Sequence, residues 1–148
     1  MKRFLFVCTG NTCRSPLAEA LLRERLKEEV EVKSAGVSAF PGQDASSGTK
    51  QVLEEMGIAS DHKSQLVSDK LLSWADVVLT MTDSHKQLLN QQFPSAIEKV
   101  YTLKEYTGAD HVDRNISDPF GGPVEVYRET AKEIEGLIEQ LAEKTKGD

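Results

Sequence analysis

Cysteine is scarce in this chain: Cys8 and Cys13 are the only two, and none follows position 13. That excludes a disulfide-stapled scaffold. Without a third cysteine or a nearby histidine it also excludes a cysteine-based zinc set. The three histidines, His62, His85 and His111, show no ligand spacing and are expected at the surface. No metal and no other cofactor is expected. Long hydrophobic runs are missing too, so nothing reads as a membrane span. Phe4-Leu5-Phe6-Val7 follows Met1-Lys2-Arg3, but it is too short for a secretory signal, and Asn11, Thr12 and Arg14 interrupt it at once. The chain is therefore expected in the cytoplasm, with its thiols reduced and no membrane partner. Basic excess is absent: 18 Lys and Arg face 24 Asp and Glu, a net charge of −6. A nucleic-acid partner would call for the opposite sign. There is no long block of one charge, no repeat and no low-complexity linker. One domain over residues 1–148, acting as a monomer, is the expectation.

What is present is an alternation of strand and helix patterns. Residues 2–7 read as a buried strand, 17–27 as a helix and 30–35 as a second strand ending at Gly36. Residues 38–47, rich in Ser, Gly and Pro, read as a loop. Thr49, Val52, Leu53 and Met56 keep helical spacing, and Gly57 suits the position after a helix end. A short helix is expected over 68–74, a strand over 76–81, a helix over 84–93 stopped by Pro94, and a strand over 99–103. Residues 106–123 read as one long polar loop. Tyr127, Ala131, Ile134, Ile138 and Leu141 form the apolar stripe of a last helix. The alternation predicts an α/β fold: a three-layer domain with a central four-stranded parallel sheet and helices on both faces. Ligands of such folds sit at the carboxyl ends of strands, which is where Cys8 falls.

Cys8-Thr9-Gly10-Asn11-Thr12-Cys13-Arg14-Ser15-Pro16 is the most informative stretch. It joins a buried strand to a helix N-terminus, so its backbone N–H groups and the helix dipole favour an anion such as phosphate. A cysteine placed there should be acidified to a thiolate. The five residues between Cys8 and Arg14 can curl into a nest of N–H donors. Gly10 permits close approach and unusual dihedrals, and Asn11 tolerates left-handed geometry while its side chain braces the loop. Arg14 supplies a planar fork for two phosphoryl oxygens. Ser15 places a hydroxyl near the thiolate, and Pro16 fits the first helical turn. Cys13 has two open readings: packing behind the loop, or trapping a sulfenic acid on Cys8 as a redox-protective partner.

This segment, CTGNTCRSPLAE, closely resembles the signature of the low-molecular-weight protein tyrosine phosphatases. Asp118-Pro119 matches that family's late Asp-Pro pair, and Ser34-Ala35-Gly36 looks like its second strand ending. The resemblance runs over nearly the whole chain. Members acting on phosphotyrosine commonly carry an aliphatic or small residue before the second cysteine and an aromatic residue after the Asp-Pro pair. Thr12, with Asp118-Pro119-Phe120-Gly121-Gly122, is similar to the bacterial protein-arginine phosphatase branch.

The resemblance implies a cysteine-dependent protein phosphatase that hydrolyses phosphoarginine in proteins through a phosphocysteine. The alternative within the family is a phosphotyrosine phosphatase. Its catalytic residues would be Cys8, Arg14 and the proton donor Asp118. Thr9, Gly10, Asn11, Thr12, Cys13, Ser15 and Phe120 would bind substrate, and phosphorylated proteins would be its partners. Alone, an Asp-Pro in a loop reads as a turn, and Thr12 could simply fill space. Arsenate reduction reuses this fold, but thiol-coupled reductases need further cysteines beyond Cys13. A redox module is disfavoured because Cys8 and Cys13 depart from Cys-x-x-Cys spacing. The non-enzymatic rival is a phosphate-recognition module without turnover. Such a module would be expected to have lost the nucleophile, the arginine or the acid, and here all three are present.

Overall fold

A computed structural model describes residues 1–108 and 113–147. Its sheet has four parallel strands in the order β2-β1-β3-β4: β1 (Lys2–Cys8), β2 (Val30–Gly36), β3 (Val77–Thr80) and β4 (Val100–Thr102). β1 is central, and residues 4–8 are buried on both sides, as a strand covered on both faces requires. Phe4, Phe6 and Cys8 face one layer, formed by α1 (Arg14–Leu26), α2 (Ser47–Glu55) and the long α6 (Val124–Gly147). Leu5 and Val7 face the other, where α3 (Asp69–Trp74) and α4 (Asp83–Gln92) bring Leu71, Leu72 and Leu89. The expected three-layer α/β fold is the one found.

Local signals account for most boundaries. Ser46, Ser68 and Thr82 each accept a backbone N–H with their side-chain oxygen, capping α2, α3 and α4. Gly57 ends α2 at φ 75°, a left-handed position that favours glycine. The stripe of α6 is fully realised: Ile134 and Leu141 have no exposed surface.

Two expectations need correction. α1 starts three residues before 17, at Arg14, and its N-cap Cys13 makes no side-chain capping bond. The helix N-terminus is thus left to something other than its own side chains. The region expected as one loop from 106 begins inside a helix, α5 (Leu103–Thr107). Thr102 and Glu105 form a reciprocal capping box there, which lets five residues hold a helix. Residues 109–112 of that expected loop, His111 among them, lie outside the described residues. Among the described residues no helix is long and apolar enough to cross a membrane.

Candidate active site

Residues 9–13 must turn the chain from the end of β1 into α1. The left-handed residue of that turn is Asn11, at φ 58°. Gly10, expected to carry the unusual dihedrals, does not enter the left-handed region, and a Cβ there would meet only Thr12 Oγ1 at 3.8 Å. The glycine this loop demands lies elsewhere. At Gly36, a Cβ would collide with the Thr9 carbonyl oxygen and sit 3.0 Å from the Asn11 nitrogen.

The loop's carbonyls are held from outside. Those of Cys8, Thr9 and Thr12 accept from the N–H groups of Val37, Ser38 and Ser46, each at 2.9 Å. That of Cys13 accepts from Leu17 N–H at 3.3 Å, and that of Asn11 from His62 Nε2 at 2.6 Å. In a trans peptide the C=O and the following N–H point in opposite directions. Outward carbonyls therefore turn the N–H groups of Thr9, Gly10, Thr12, Cys13 and Arg14 to the inner side of the loop. This is how the sequence builds an anion nest without charge.

Beneath the loop runs a buried polar chain. Asn11 Nδ2 donates to Ser15 Oγ at 2.8 Å and to Ser34 Oγ at 2.9 Å, while Asn11 Oδ1 accepts from Gln65 N–H at 2.9 Å. The Ser34 hydroxyl donates to Glu19 Oε1 at 2.5 Å. Ser15 Oγ lies 2.9 Å from Cys8 Sγ. Because that oxygen already accepts from Asn11, its own proton is free to point at the sulfur. Burial opposes the charge on Glu19, but hydrogen bonds from His62, Ser34 and Arg23 outweigh it and hold the carboxyl below its usual range.

Arg14 is almost wholly buried. Nη1 donates to the Ile116 carbonyl at 2.9 Å, Nη2 lies 3.5 Å from Asp118 Oδ2, and the buried Nε has no partner among the described residues. Asp118 comes from a strapped segment. Ile116 N–H bonds to Met81 O at 2.9 Å, and Asn115 is held by Asp83 N–H at 2.9 Å and Lys104 Nζ at 2.8 Å. Beyond it, Asp118 Oδ1 accepts from Phe120 N–H, and Pro119 O accepts from Gly122 N–H at 2.9 Å with Gly121 at φ 80°. The glycine pair thus makes a tight turn that stands Phe120 out in solvent, 73% exposed.

These parts meet around a cavity of about 220 Å³. Cys8, Thr9, Gly10, Thr12, Cys13 and Arg14 line it, with Asp118 and Phe120 opposite. Asn11 and Ser15 do not reach it; they are buried behind the loop as braces. Ser38, Phe40 and Gln43 complete the wall and were not legible in the sequence. Phe40, like Phe120, is 73% exposed, so the two rings rim the mouth as apolar walls. A larger hollow of about 660 Å³ beside α2 is lined in part by His62 and holds neither cysteine. Among the described residues no cluster of His, Cys, Asp or Glu suits a metal ion.

The histidines depart most from expectation. His62 and His85 are not at the surface: both brace the loop. The His62 ring is only 6% exposed, donating to Asn11 O and facing Glu19 at 3.5 Å. His85 is buried, with Nε2 2.8 Å from Thr9 Oγ1. Burial and the Arg14 charge push its pKa down to about 4, against a smaller opposing pull from Asp118, so the ring is neutral.

Cys13 and Cys8 are both free and buried. Cys13 Sγ lies 3.4 Å from Ser46 Oγ and 3.5 Å from the Tyr127 hydroxyl. The Tyr127 ring leaves room only for glycine at position 48, where a Cβ would fall within 2.6 Å of Tyr127 Cγ. Gly48→Ala should cost about 1–3 kcal/mol of stability through overpacking. Urea unfolding of the two proteins would measure it, and equal midpoints would refute the tight packing behind Cys13.

The low molecular weight phosphotyrosine protein phosphatase family model matches residues 3–148. A protein-arginine-phosphatase from Geobacillus stearothermophilus is 51% identical over 142 residues, 96% of this chain and 95% of the relative. The solved YwlE arginine phosphatase from Geobacillus stearothermophilus superposes with a TM-score of 0.95 at 49% identity, covering 99% of this chain and 94% of that one. A YwlE variant with a phosphorylated active-site serine gives a TM-score of 0.94 at 44% identity, covering 99% and 97%. Family match, whole-length identity and fold agree with the loop geometry: the chain belongs to the low-molecular-weight phosphotyrosine protein phosphatase family.

Proposed function

We propose that this phosphatase acts on phosphorylated arginine side chains of proteins, with Cys8, Arg14 and Asp118 as its catalytic residues. The observation that carries the reading is the cavity itself, where a nucleophile, a cationic fork, a carboxylate and the Thr12 hydroxyl converge. The relatives named as arginine phosphatases support the substrate.

Cys8 Sγ, as thiolate, attacks phosphorus in line with the departing guanidinium nitrogen. The P–N bond breaks, and Asp118 gives that nitrogen its proton. Inward N–H groups and the free donors of Arg14 hold the equatorial oxygens, so catalysis is positioning and electrostatics. Asp118, now a carboxylate, takes a proton from water as its oxygen attacks the phosphocysteine. Phosphate leaves and the thiolate returns, its charge met by the Ser15 hydroxyl. Each atom is accounted for without a cofactor. Thr9, Gly10, Thr12, Cys13 and Phe120 form the substrate wall in this reading together with Ser38, Phe40 and Gln43, and Asn11 and Ser15 act as supports. Both readings of Cys13 stay open, packing behind the loop and trapping an oxidised Cys8. We place the protein in the cytoplasm as a monomer acting on proteins, with residues 1–148 as the phosphatase unit.

A guanidinium is planar and offers only N–H donors, so an acceptor-rich wall suits it. Asp118 and the Thr12 oxygen supply such acceptors; a phenyl ring has no N–H to offer them, and its leaving oxygen would use only the Asp118 proton. Thr12→Ile keeps the β-branch but replaces the hydroxyl with a bulkier ethyl group, so the acceptor is lost and apolar volume is added. The ratio of kcat/KM for phosphoarginine over phosphotyrosine peptides should then fall by about tenfold or more. An unchanged ratio would reduce Thr12 to a space-filler. Phosphotyrosine hydrolysis is the second reading, favoured by the two exposed rings at the mouth, which could sandwich a phenyl group.

A further inference from the structure

His85 has no part in the cycle just described, yet it is among the most costly side chains near the site. It stands in the first turn of α4, 5% exposed, and reaches across to the residue after the nucleophile. One ring nitrogen, Nε2, meets Thr9 Oγ1 at 2.8 Å. The other, Nδ1, is buried without any partner among the described residues. A neutral imidazole carries one proton, and its place follows from the two environments. A proton on Nδ1 would bury an orphaned N–H; one on Nε2 leaves only an orphaned lone pair, the less costly of the two. Nε2 is thus the donor, and Thr9 Oγ1 the acceptor.

Thr9 itself lies on the cavity wall and is exposed. With its oxygen taking the His85 proton, the hydroxyl hydrogen is released from the protein side. The acceptors offered by a ligand seated there are phosphoryl oxygens, since a guanidinium has none. We propose that His85 is a positioning residue, which through Nε2 fixes the Thr9 hydroxyl as a hydrogen-bond donor into the phosphoryl pocket. Inorganic phosphate and the phosphoryl group of any substrate both feel this donor. The inference rests on the phosphatase reading but not on arginine specificity.

The test uses an aryl phosphate as substrate and inorganic phosphate as competitor, on the full chain. His85→Leu and Thr9→Val should each lower kcat/KM and weaken phosphate inhibition by about fivefold to tenfold. The double variant should lose no more than either single one, because both remove the same donor. His85→Gln, which keeps an amide N–H near the Nε2 position, should recover most of the loss; an equal loss in Gln and Leu variants of matched thermal stability would overturn the role. So would additive losses, or unchanged phosphate inhibition. Ring nitrogen NMR on the wild-type protein gives a readout that packing alone does not set. Protonated Nε2 with bare Nδ1 is expected, and the opposite tautomer would sink the proposal. Aryl phosphatase activity that survives Cys8→Ser would instead overturn the cysteine mechanism and leave the tautomer result standing on its own.

Discussion

Cys8→Ser should lower turnover by ~10⁴-fold or more while leaving the fold and phosphate binding largely intact. Serine is close to isosteric with cysteine, and the strand end that holds it is fixed by pairing on both sides, to β2 and β3. Its hydroxyl can still receive the Ser15 contact seen at 2.9 Å. What it cannot do is present an anion near neutral pH, because an alcohol holds its proton far more tightly than a thiol. Among the described residues Ser15 is the side chain hydrogen-bonded to Cys8 Sγ, and the proposed cycle uses Ser15 as a donor and Asp118 as the acid, which leaves neither as a base for that proton. Progress curves with a peptide substrate measure the loss, and circular dichroism checks the fold. A loss of less than about tenfold would mean that Cys8 is not the nucleophile.

The second large effect is expected at Arg14. Arg14→Lys keeps the charge but should lower kcat/KM by ~10³-fold. The guanidinium is used from several sides at once. Nη1 is tied to the Ile116 carbonyl and Nη2 faces Asp118 at 3.5 Å, so the side chain also joins the phosphate loop to the acid segment. The buried Nε has no partner among the described residues, which leaves its N–H for a phosphoryl oxygen. An ammonium group could replace one of these contacts, not the set. The loss should fall on both kcat and KM, because ground-state phosphate and transition state are both gripped. Steady-state kinetics with an aryl phosphate measure it; a lysine variant within a few-fold of wild type would show that charge alone suffices.

Much of this was legible before any coordinates, for a physical reason. Strand β1 and helix α6 declare themselves through burial patterns that persist over many residues, Cys8 and Arg14 through their spacing between a strand and a helix, and Asp118 only once that loop and the family resemblance are set beside it. Their convergence on one cavity follows from the topology rule that places ligands at strand ends. The braces were not legible. His62 meets Asn11 across 51 positions and His85 meets Thr9 across 76, and neither sits in a pattern of its own. Nothing in the sequence sets Glu19 apart at the end of CTGNTCRSPLAE, yet it anchors a buried polar chain. Gly10 carried the expectation of strain because glycine permits it, while the steric demand fell on Gly36, where two segments cross. The short helix α5 is different, since Thr102 and Glu105 already spell a capping box; its five residues were simply outweighed by the polar stretch that follows.

The measurement that tests the central claim most directly is phosphate release from matched phosphoarginine and phosphotyrosine peptides, by wild type and Cys8→Ser in parallel. The account predicts a higher kcat/KM on the phosphoarginine peptide and essentially no release from either peptide by the serine variant. Faster release from phosphotyrosine would contradict the substrate assignment, and release that persists without the Cys8 thiol would contradict the mechanism.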